Sequence, residues 1–272
     1  MDPRRKEFDI KKISPDNLLA VNDWVSVEEP LEIRLVYGRD AQREARSVSV
    51  TMRTPGHDSV LTLGFLFTEG IIQQHNQIIS ITEDGSNIIL VELHPHVPIN
   101  PESISRNFYT TSSCGVCGKS SIEAIRVNGN LVKEGIVVSS SVLKKLPSII
   151  KGEQTTFEAT GGLHASALFD REGNLLVLME DVGRHNALDK VIGSMVLSGK
   201  VPLYDTILLV SGRASFELVQ KAVVAGIPVV AAIGAPSSLA IELAREKGIS
   251  LIGFLKNDGF NVYANPHRIQ NP

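Results

Sequence analysis

Two cysteines, Cys114 and Cys117, are the residues with the clearest chemical potential, because the 272-residue chain contains no others. They lie in the segment TTSSCGVCGK (residues 110–119), where a glycine follows each cysteine. A C-x-x-C pair can hold a metal, exchange a disulfide, or carry sulfane sulfur as a persulfide. Two inert cysteines in a loop would show the same spacing, so the spacing alone leaves four interpretations open.

The surroundings of the two cysteines favour a sulfur carrier. A closed zinc site usually needs four ligands, whereas this pair supplies two and the chain has no second C-x-x-C. A thioredoxin-like motif opens a long helix, but Pro95, Pro98 and Pro101 precede this one and predict a loop. A persulfide carrier needs an exposed thiolate on a loop that can reach both donor and acceptor. A thiol–disulfide oxidoreductase stays as an alternative.

The C-terminal half shows a strand–helix rhythm. The apolar runs TILLVSG, IPVVAAIG and ISLIGFL alternate with the segments SFELVQKAVVAG and SSLAIELAREKG. Gly226 and Gly248 fall where helix C-caps belong. Strand–helix units of this length predict parallel strands joined by right-handed crossovers, so we expect a buried α/β sheet.

The N-terminal part has a different pattern. The segments LEIRLVYG (31–38) and SVSVTMRT (47–54) alternate apolar and polar residues, as half-buried strands do. We therefore predict an α/β protein with two domains. Residues 1–137 form a smaller α+β domain that ends in the C-x-x-C loop and a linker, and residues 138–272 form an α/β cofactor-binding domain.

One candidate binding segment is VSGRASFE (210–217), a strand followed by a small-residue turn and a helix start. Its residues Ser211, Gly212 and Arg213 suit a phosphate, because backbone amides at a helix start and a guanidinium both attract anions. Ligands of open α/β sheets bind at the carboxyl ends of strands. An ordinary β–α turn would have the same sequence.

A second candidate is EDVGRHNALDK (180–190), where we predict a helix that starts near Val182, with Asp181 suited to its N-terminus and with Arg184 and His185 close behind. These residues could face a ligand, or could belong to a capped helix whose Asp189 and Lys190 form surface ion pairs. For the last two we favour the surface ion pairs.

Two further histidines have equally open roles. His164 follows two glycines in ATGGLHASA and could contact a ligand or lie in the core. His57 lies in RTPGHDS, which is also explained as a β-turn.

Composition limits the partner classes. The net charge is −3 and no stripe of Lys and Arg stands out, which disfavours nucleic acid as the main partner. The most apolar stretch, IPVVAAIGA, is too short to span a bilayer, and no apolar run follows the basic N-terminal residues. We expect a cytoplasmic protein with neither a nucleic acid nor a membrane as partner.

Taken together, the motifs resemble one known family. TPGHD, GFLFTEGII, SSCGVCGK, TGGLHASALF, EDVGRHNALDKVIG, SGRASFELVQKAVVAGIPVVAAIGAPSSLAIELA and GISLIGFL occur in this order between about residue 30 and residue 265. On these blocks the chain is identified as a member of the formate dehydrogenase accessory sulfurtransferase family (FdhD).

The resemblance implies a function and an architecture. The family takes sulfur from a cysteine desulfurase as a protein-bound persulfide and passes it to the molybdenum cofactor, Mo-bis(molybdopterin guanine dinucleotide), which formate dehydrogenase needs. The cofactor is cargo, and no metal of the protein's own is expected. The resemblance also implies a homodimer and a cytidine deaminase-like fold for the α/β half, without that fold's zinc ligands. A non-catalytic chaperone that binds the molybdenum cofactor is a further alternative.

The resemblance also assigns residues. It implies that Cys114 bears the persulfide and that Cys117 assists. The family's cofactor contact maps onto the segment FLKNDG, which consists of Phe254, Leu255, Lys256, Asn257, Asp258 and Gly259. To these we add, from their chemistry, the candidate cofactor contacts Ser211, Gly212, Arg213, His164, Arg184 and His185.

Overall fold

The structure, a computed structural model, describes residues 2–15, 17–39, 42–99, 131 and 136–271. The predicted C-x-x-C loop, with Cys114 and Cys117, lies outside the described residues. None of the helices in the described part of the chain is both long enough and apolar enough to cross a membrane.

The N-terminal part combines a β-ribbon, a four-stranded sheet and a helix. Its elements are β1 (Arg5–Ser14), β2 (Asn17–Ser26), β3 (Glu29–Tyr37), β4 (Glu44–Arg53), α1 (Asp58–Thr68), β5 (Ile78–Glu83) and β6 (Ile88–Leu93). Strands β1 and β2 pair with each other, and the sheet has the order β4-β3-β6-β5. Leu31, Ile33 and Leu35 alternate with more exposed residues along β3 and are buried. The period-2 pattern therefore predicted this strand correctly.

The C-terminal part is built on a six-stranded sheet. Its elements are β7 (Val138–Ser139), α2 (Ser140–Leu143), α3 (Leu146–Glu153), α4 (Thr155–Thr160), β8 (His164–Phe169), β9 (Leu175–Asp181), α5 (Arg184–Leu197), β10 (Ile207–Val210), α6 (Phe216–Ala225), β11 (Val229–Ala232), α7 (Ser238–Lys247), β12 (Ser250–Gly253), β13 (Asn261–Ala264) and β14 (Ile269–Gln270). The sheet order is β13-β12-β11-β10-β8-β9, and β10, β11 and β12 are parallel. The predicted α/β fold class is confirmed.

The buried strands and the helix ends follow from local sequence. Every residue of β10, β11 and β12 is buried, which explains their largely apolar character. Helices α6 and α7 end at Gly226 and Gly248, which have φ angles of 78° and 76°. Because the left-handed region is strained for residues with a side chain, glycine ends both helices as predicted.

The two parts of the chain share one hydrophobic core. A single cluster contains Leu31 and Leu61 from the N-terminal part together with Leu188 and Leu208 from the C-terminal part. Helix α1 packs directly against α5, so both parts contribute to holding α5 in place. The domain boundary at residue 137 stays a prediction.

Candidate functional site

The turns after three parallel strands meet at one edge of the large sheet. Ser211–Arg213 follow β10, Gly234 lies just after β11, and Phe254 follows β12. Backbone hydrogen bonds join each turn to the next one along the edge. The Gly234 N–H donates to the Gly212 carbonyl at 2.9 Å, and the Phe254 N–H donates to the Gly234 carbonyl at 3.0 Å. We call this region the strand-end edge, and it is where ligands of open α/β sheets bind.

His164 lies at the same edge because β8 runs antiparallel to β10. The Ser211 hydroxyl accepts a hydrogen bond from the Ala165 N–H at 2.9 Å, which ties the start of β8 to the turn after β10. A Cβ built on Gly212 would lie 3.5 Å from His164 Nδ1, so the ring stands against this glycine. Burial, together with the nearby Arg184 charge, lowers the pKa of His164. The structure thus brings Ser211, Gly212 and His164 together.

Arg184 and His185 reach this edge on the first turn of α5. Strand β9 ends at Asp181, which pairs with His164, and α5 begins three residues later. The His185 side chain is only 9% exposed. Neither of its ring nitrogens has a hydrogen-bond partner among the described residues. Burial lowers the pKa of His185, so its imidazole is neutral near pH 7.

Glu217 joins this group, although sequence analysis gave it no role. It lies on the first turn of α6, and its Oε2 is 3.9 Å from His185 Nε2, too far for a hydrogen bond. Burial alone would raise the pKa of Glu217, but the His185 imidazole, its own backbone amide and the nearby Ser215 hydroxyl outweigh burial and lower it to about 2. The only sequence signal was an acidic residue at a helix start, which usually indicates a favourable helix dipole and nothing more.

Two buried ion pairs hold α5 in position, and they correct the expectation of surface pairs. Lys190 Nζ lies 2.7 Å from Asp181 Oδ2 and donates to the Thr54 carbonyl at 2.9 Å. Lys221 Nζ lies 2.9 Å from both oxygens of Asp189. Asp189 and Lys190 are 2% and 1% exposed. Adjacent positions on a buried helix can both be covered when other helices and loops pack on different sides of it, which local sequence does not reveal.

The FLKNDG segment is divided between the surface and the core. Phe254 is 44% exposed and has a φ of 53°, which turns the chain out of β12 at the strand-end edge. Leu255 is fully buried in a second core cluster beneath the sheet. Its side chain therefore packs inside the protein, so any contact that Leu255 makes with a ligand has to come from its backbone.

The rest of this segment forms a surface turn. The Lys256 N–H donates to the Gly259 carbonyl at 2.8 Å, which closes the turn. Lys256, Asn257 and Asp258 are exposed. The Asn257 side-chain amide donates to the Ser148 hydroxyl at 2.8 Å and so contacts α3.

A cavity of about 340 Å³ lies along β9, beside the N-terminal part of the chain. His57, Glu180 and Lys190 are among its lining residues. His57 has a φ of 60° and immediately precedes α1, so its backbone makes the turn that the sequence suggested. None of the candidate site residues that the structure describes lines this cavity.

Comparisons with known proteins agree with this architecture. The model of the FdhD/NarQ family matches residues 27–270. The chain is 47% identical over 267 residues to the "Sulfur carrier protein FdhD" of Streptomyces avermitilis, covering 94% of this chain and 89% of that protein. It is 40% identical over 269 residues to the protein of the same name from Saccharolobus solfataricus, covering 99% and 100%.

A solved structure agrees as well. The crystal structure of a proposed formate dehydrogenase accessory protein from Desulfotalea psychrophila superimposes with a TM-score of 0.75. The match covers 98% of this chain and 100% of that one, at 24% identity, and it supports the fold. The family match spans most of the chain and both of its parts, and two relatives from distant organisms match nearly end to end. The chain therefore belongs to the FdhD/NarQ family.

Proposed function

We propose that this protein is a sulfur carrier that bears a persulfide on Cys114 and donates its sulfur to the molybdenum cofactor of a formate dehydrogenase. The main support is that the only two cysteines of the chain form a C-x-x-C pair, and that relatives in the same family are named sulfur carrier proteins. The donor is a cysteine desulfurase, and the protein acts in the cytoplasm as a homodimer.

Loading and release are thiol exchange reactions. The Cys114 thiolate attacks the outer sulfur of the desulfurase persulfide, the donor's S–S bond breaks, and the donor thiolate leaves. Cys117 then attacks the inner sulfur of the Cys114 persulfide. This step releases hydrosulfide toward the cofactor and leaves a Cys114–Cys117 disulfide. The two electrons that reduce the sulfane sulfur come from the thiol pair. A cellular dithiol therefore has to reduce the Cys114–Cys117 disulfide before the next cycle.

The strand-end edge is the proposed place for the cargo, Mo-bis(molybdopterin guanine dinucleotide). The exposed Arg213 and the neighbouring Arg184 supply guanidinium groups, which pair well with phosphate oxygens. The exposed ring of Phe254 supplies an apolar face at the same edge. Gly212 and Gly234 are partly exposed in the turns of this edge.

Sulfur loading tests the proposal directly. The protein is incubated with a cysteine desulfurase and cysteine, and intact-mass spectrometry measures the added sulfur. Cys117→Ser should gain one sulfur atom that a thiol reductant removes, and wild type should carry either that sulfur or the Cys114–Cys117 disulfide that its release leaves. Cys114→Ser should gain no sulfur. Loading of Cys114→Ser at the wild-type level, together with failure of Cys117→Ser, would reverse the two roles.

The same variants separate the alternative functions. A thiol–disulfide oxidoreductase would reduce a model disulfide at catalytic rates and would need both cysteines. A non-catalytic chaperone would still support activation of formate dehydrogenase when both cysteines are replaced. We expect neither behaviour from a sulfur carrier.

A further inference from the structure

The large sheet has an open edge along β9. This strand is the last in the order β13-β12-β11-β10-β8-β9, and among the described strands it pairs only with β8. Alternate residues of an antiparallel edge strand point their N–H and C=O groups away from the sheet. Within the described part of the chain, no backbone hydrogen bond reaches these outward groups between Leu175 and Glu180. A row of unused donors and acceptors therefore runs along the strand.

The sequence of β9 does little to protect this edge. Proteins usually protect a free edge with a short strand, a bulge, proline or lysine. Strand β13, at the other edge of the same sheet, has only four residues and a register shift in its pairing. Strand β9 has seven residues, LLVLMED, with neither proline nor lysine. Its register with β8 shifts only near its start, so Val177–Asp181 present a regular edge.

A groove follows the open edge. The cavity of about 340 Å³ is lined by six consecutive residues of β9, Leu175–Glu180. Successive side chains of a strand point to opposite faces of the sheet, so a cavity lined by consecutive residues lies beside the backbone edge. Six residues span about 20 Å, which is the length of an ordinary strand. We call this cavity the β9 groove.

The walls of the β9 groove suit an extended peptide. Arg4, Pro55 and His57 line it from the N-terminal part of the chain, and Glu153 and Thr155 line it from the junction of α3 and α4. Because the charges are of both signs, the groove does not select a ligand by net charge. The feature that repeats along it is the row of backbone donors and acceptors, and its complement is another extended backbone.

We propose that the β9 groove is a docking site at which an extended segment of the formate dehydrogenase adds to the large sheet as a further strand. The main chain of that segment pairs with the outward N–H and C=O groups of Val177–Glu180. An apolar side chain of the segment packs beside Leu176, which is 47% exposed. The inference rests on the proposed function, in which the formate dehydrogenase receives the cargo.

The place where the groove ends selects this partner. Strand β9 ends at Asp181, which pairs with His164 at the strand-end edge. Glu180, the last groove residue of β9, is therefore one residue away from the proposed place of the cargo. A protein that takes the cargo has to approach this edge, and a segment bound in the groove would hold it there. The desulfurase delivers sulfur to Cys114 and has no such requirement.

Hydrogen–deuterium exchange with mass spectrometry tests the docking site on the unaltered protein. The protein is compared alone, with the formate dehydrogenase of the same organism in its cofactor-free form, and with the cysteine desulfurase. The amides of Val177–Glu180 should exchange roughly 10-fold more slowly with the formate dehydrogenase and at the free rate with the desulfurase. Unchanged exchange with the formate dehydrogenase, or equal slowing with the desulfurase, overturns the inference. Slowing that grows with the concentration of the protein alone would assign the groove to a second copy and overturn it too.

A substitution then assigns the contact to the groove. Leu176→Lys places a charge at the open edge, as lysine does in naturally protected edges, and should weaken binding of the cofactor-free formate dehydrogenase roughly 10-fold in biolayer interferometry. The matched control is Leu197→Lys, because Leu197 is 49% exposed at the end of α5 and does not line the groove. Equal affinities of the two variants overturn the inference. If Leu176→Lys does not fold, the exchange experiment decides.

The result is separable from the proposed function. Sulfur loading on Cys114 is measured on the same preparations, and Leu176→Lys should load as the unsubstituted protein does. Loading without slowed exchange in β9 would refute the docking site alone. Slowed exchange with the formate dehydrogenase but no loading would refute the sulfur carrier and leave the docking site.

Discussion

Replacing Gly193 by alanine should show how closely α1 and α5 have to approach. A Cβ added at Gly193 would overlap the Val60 carbonyl oxygen and lie 2.7 Å from the Gly64 nitrogen. A Cβ added at Gly64 would in turn overlap the Asp189 carbonyl oxygen. The two helices therefore touch backbone to backbone, and neither neighbour is a flexible side chain that could move aside.

The size of the effect follows from two opposing terms. Overpacking a core costs about 1–3 kcal/mol, and a clash against backbone belongs at the upper end of that range. Alanine favours the helix over glycine by about 1 kcal/mol, which offsets part of the cost. We expect Gly193→Ala to lower the free energy of unfolding by about 2 kcal/mol, which corresponds to a fall in Tm of roughly 4–8 °C.

Gly152 is the matched control for this substitution. It also lies in a helix, α3, but a Cβ added there meets nothing within 4 Å. Gly152→Ala should keep only the helix-propensity gain and stabilise the protein by up to about 1 kcal/mol. Urea unfolding followed by circular dichroism measures both variants against wild type.

The contrast between the two alanine variants decides the argument. If Gly193→Ala leaves the free energy of unfolding unchanged, or raises it as much as Gly152→Ala does, then α1 and α5 do not approach as closely as the structure indicates. Because Gly64 and Gly193 occupy the same contact, the double alanine variant should cost less than the sum of the single ones.

Two further predictions concern the ionisable groups around α5. Lys221→Met should cost about 3–5 kcal/mol in urea unfolding, because it leaves the buried Asp189 carboxyl without its ion pair; addition of Asp189→Leu should recover part of that loss, and a single-variant cost below about 1 kcal/mol would contradict the burial of the pair. The folded protein holds the pKa of His185 below its ordinary 6.5, so the unfolded chain takes up the proton first and stability falls as the pH drops below that value. His185→Gln should therefore lose less stability than wild type between about pH 7 and about pH 5 in the same assay, and parallel curves would count against the buried neutral imidazole.

Local patterns in the sequence were sufficient for much of the fold. The apolar runs predicted β10, β11 and β12, and Gly226 and Gly248 predicted the ends of α6 and α7. These features depend on residues within one or two turns of each other. The turn at Ser211–Arg213 was also predicted to lie at strand ends, because consecutive parallel strands have to end at the same edge.

Other features of the site could not be obtained in this way. Glu217 resembled an ordinary acidic residue of a helix start until the fold placed it beside His185. Asp189 and Lys190 had the composition of a surface pair, but α1, α6 and the Thr54 segment cover them. Leu255 shares a contiguous segment with exposed residues, and its burial depends on how the chain leaves β12.

The sequence by itself indicated the parallel strands, the helices between them and the two cysteines on which the proposed function depends, because chain-local propensities and the scarcity of cysteine are visible without a fold. Only the tertiary structure decided which polar side chains share the strand-end edge and which ion pairs are removed from water. Burial and proximity arise from contacts between segments far apart in the chain. The chemistry of Glu217 and His185 therefore depends on the packing of α5 and α6.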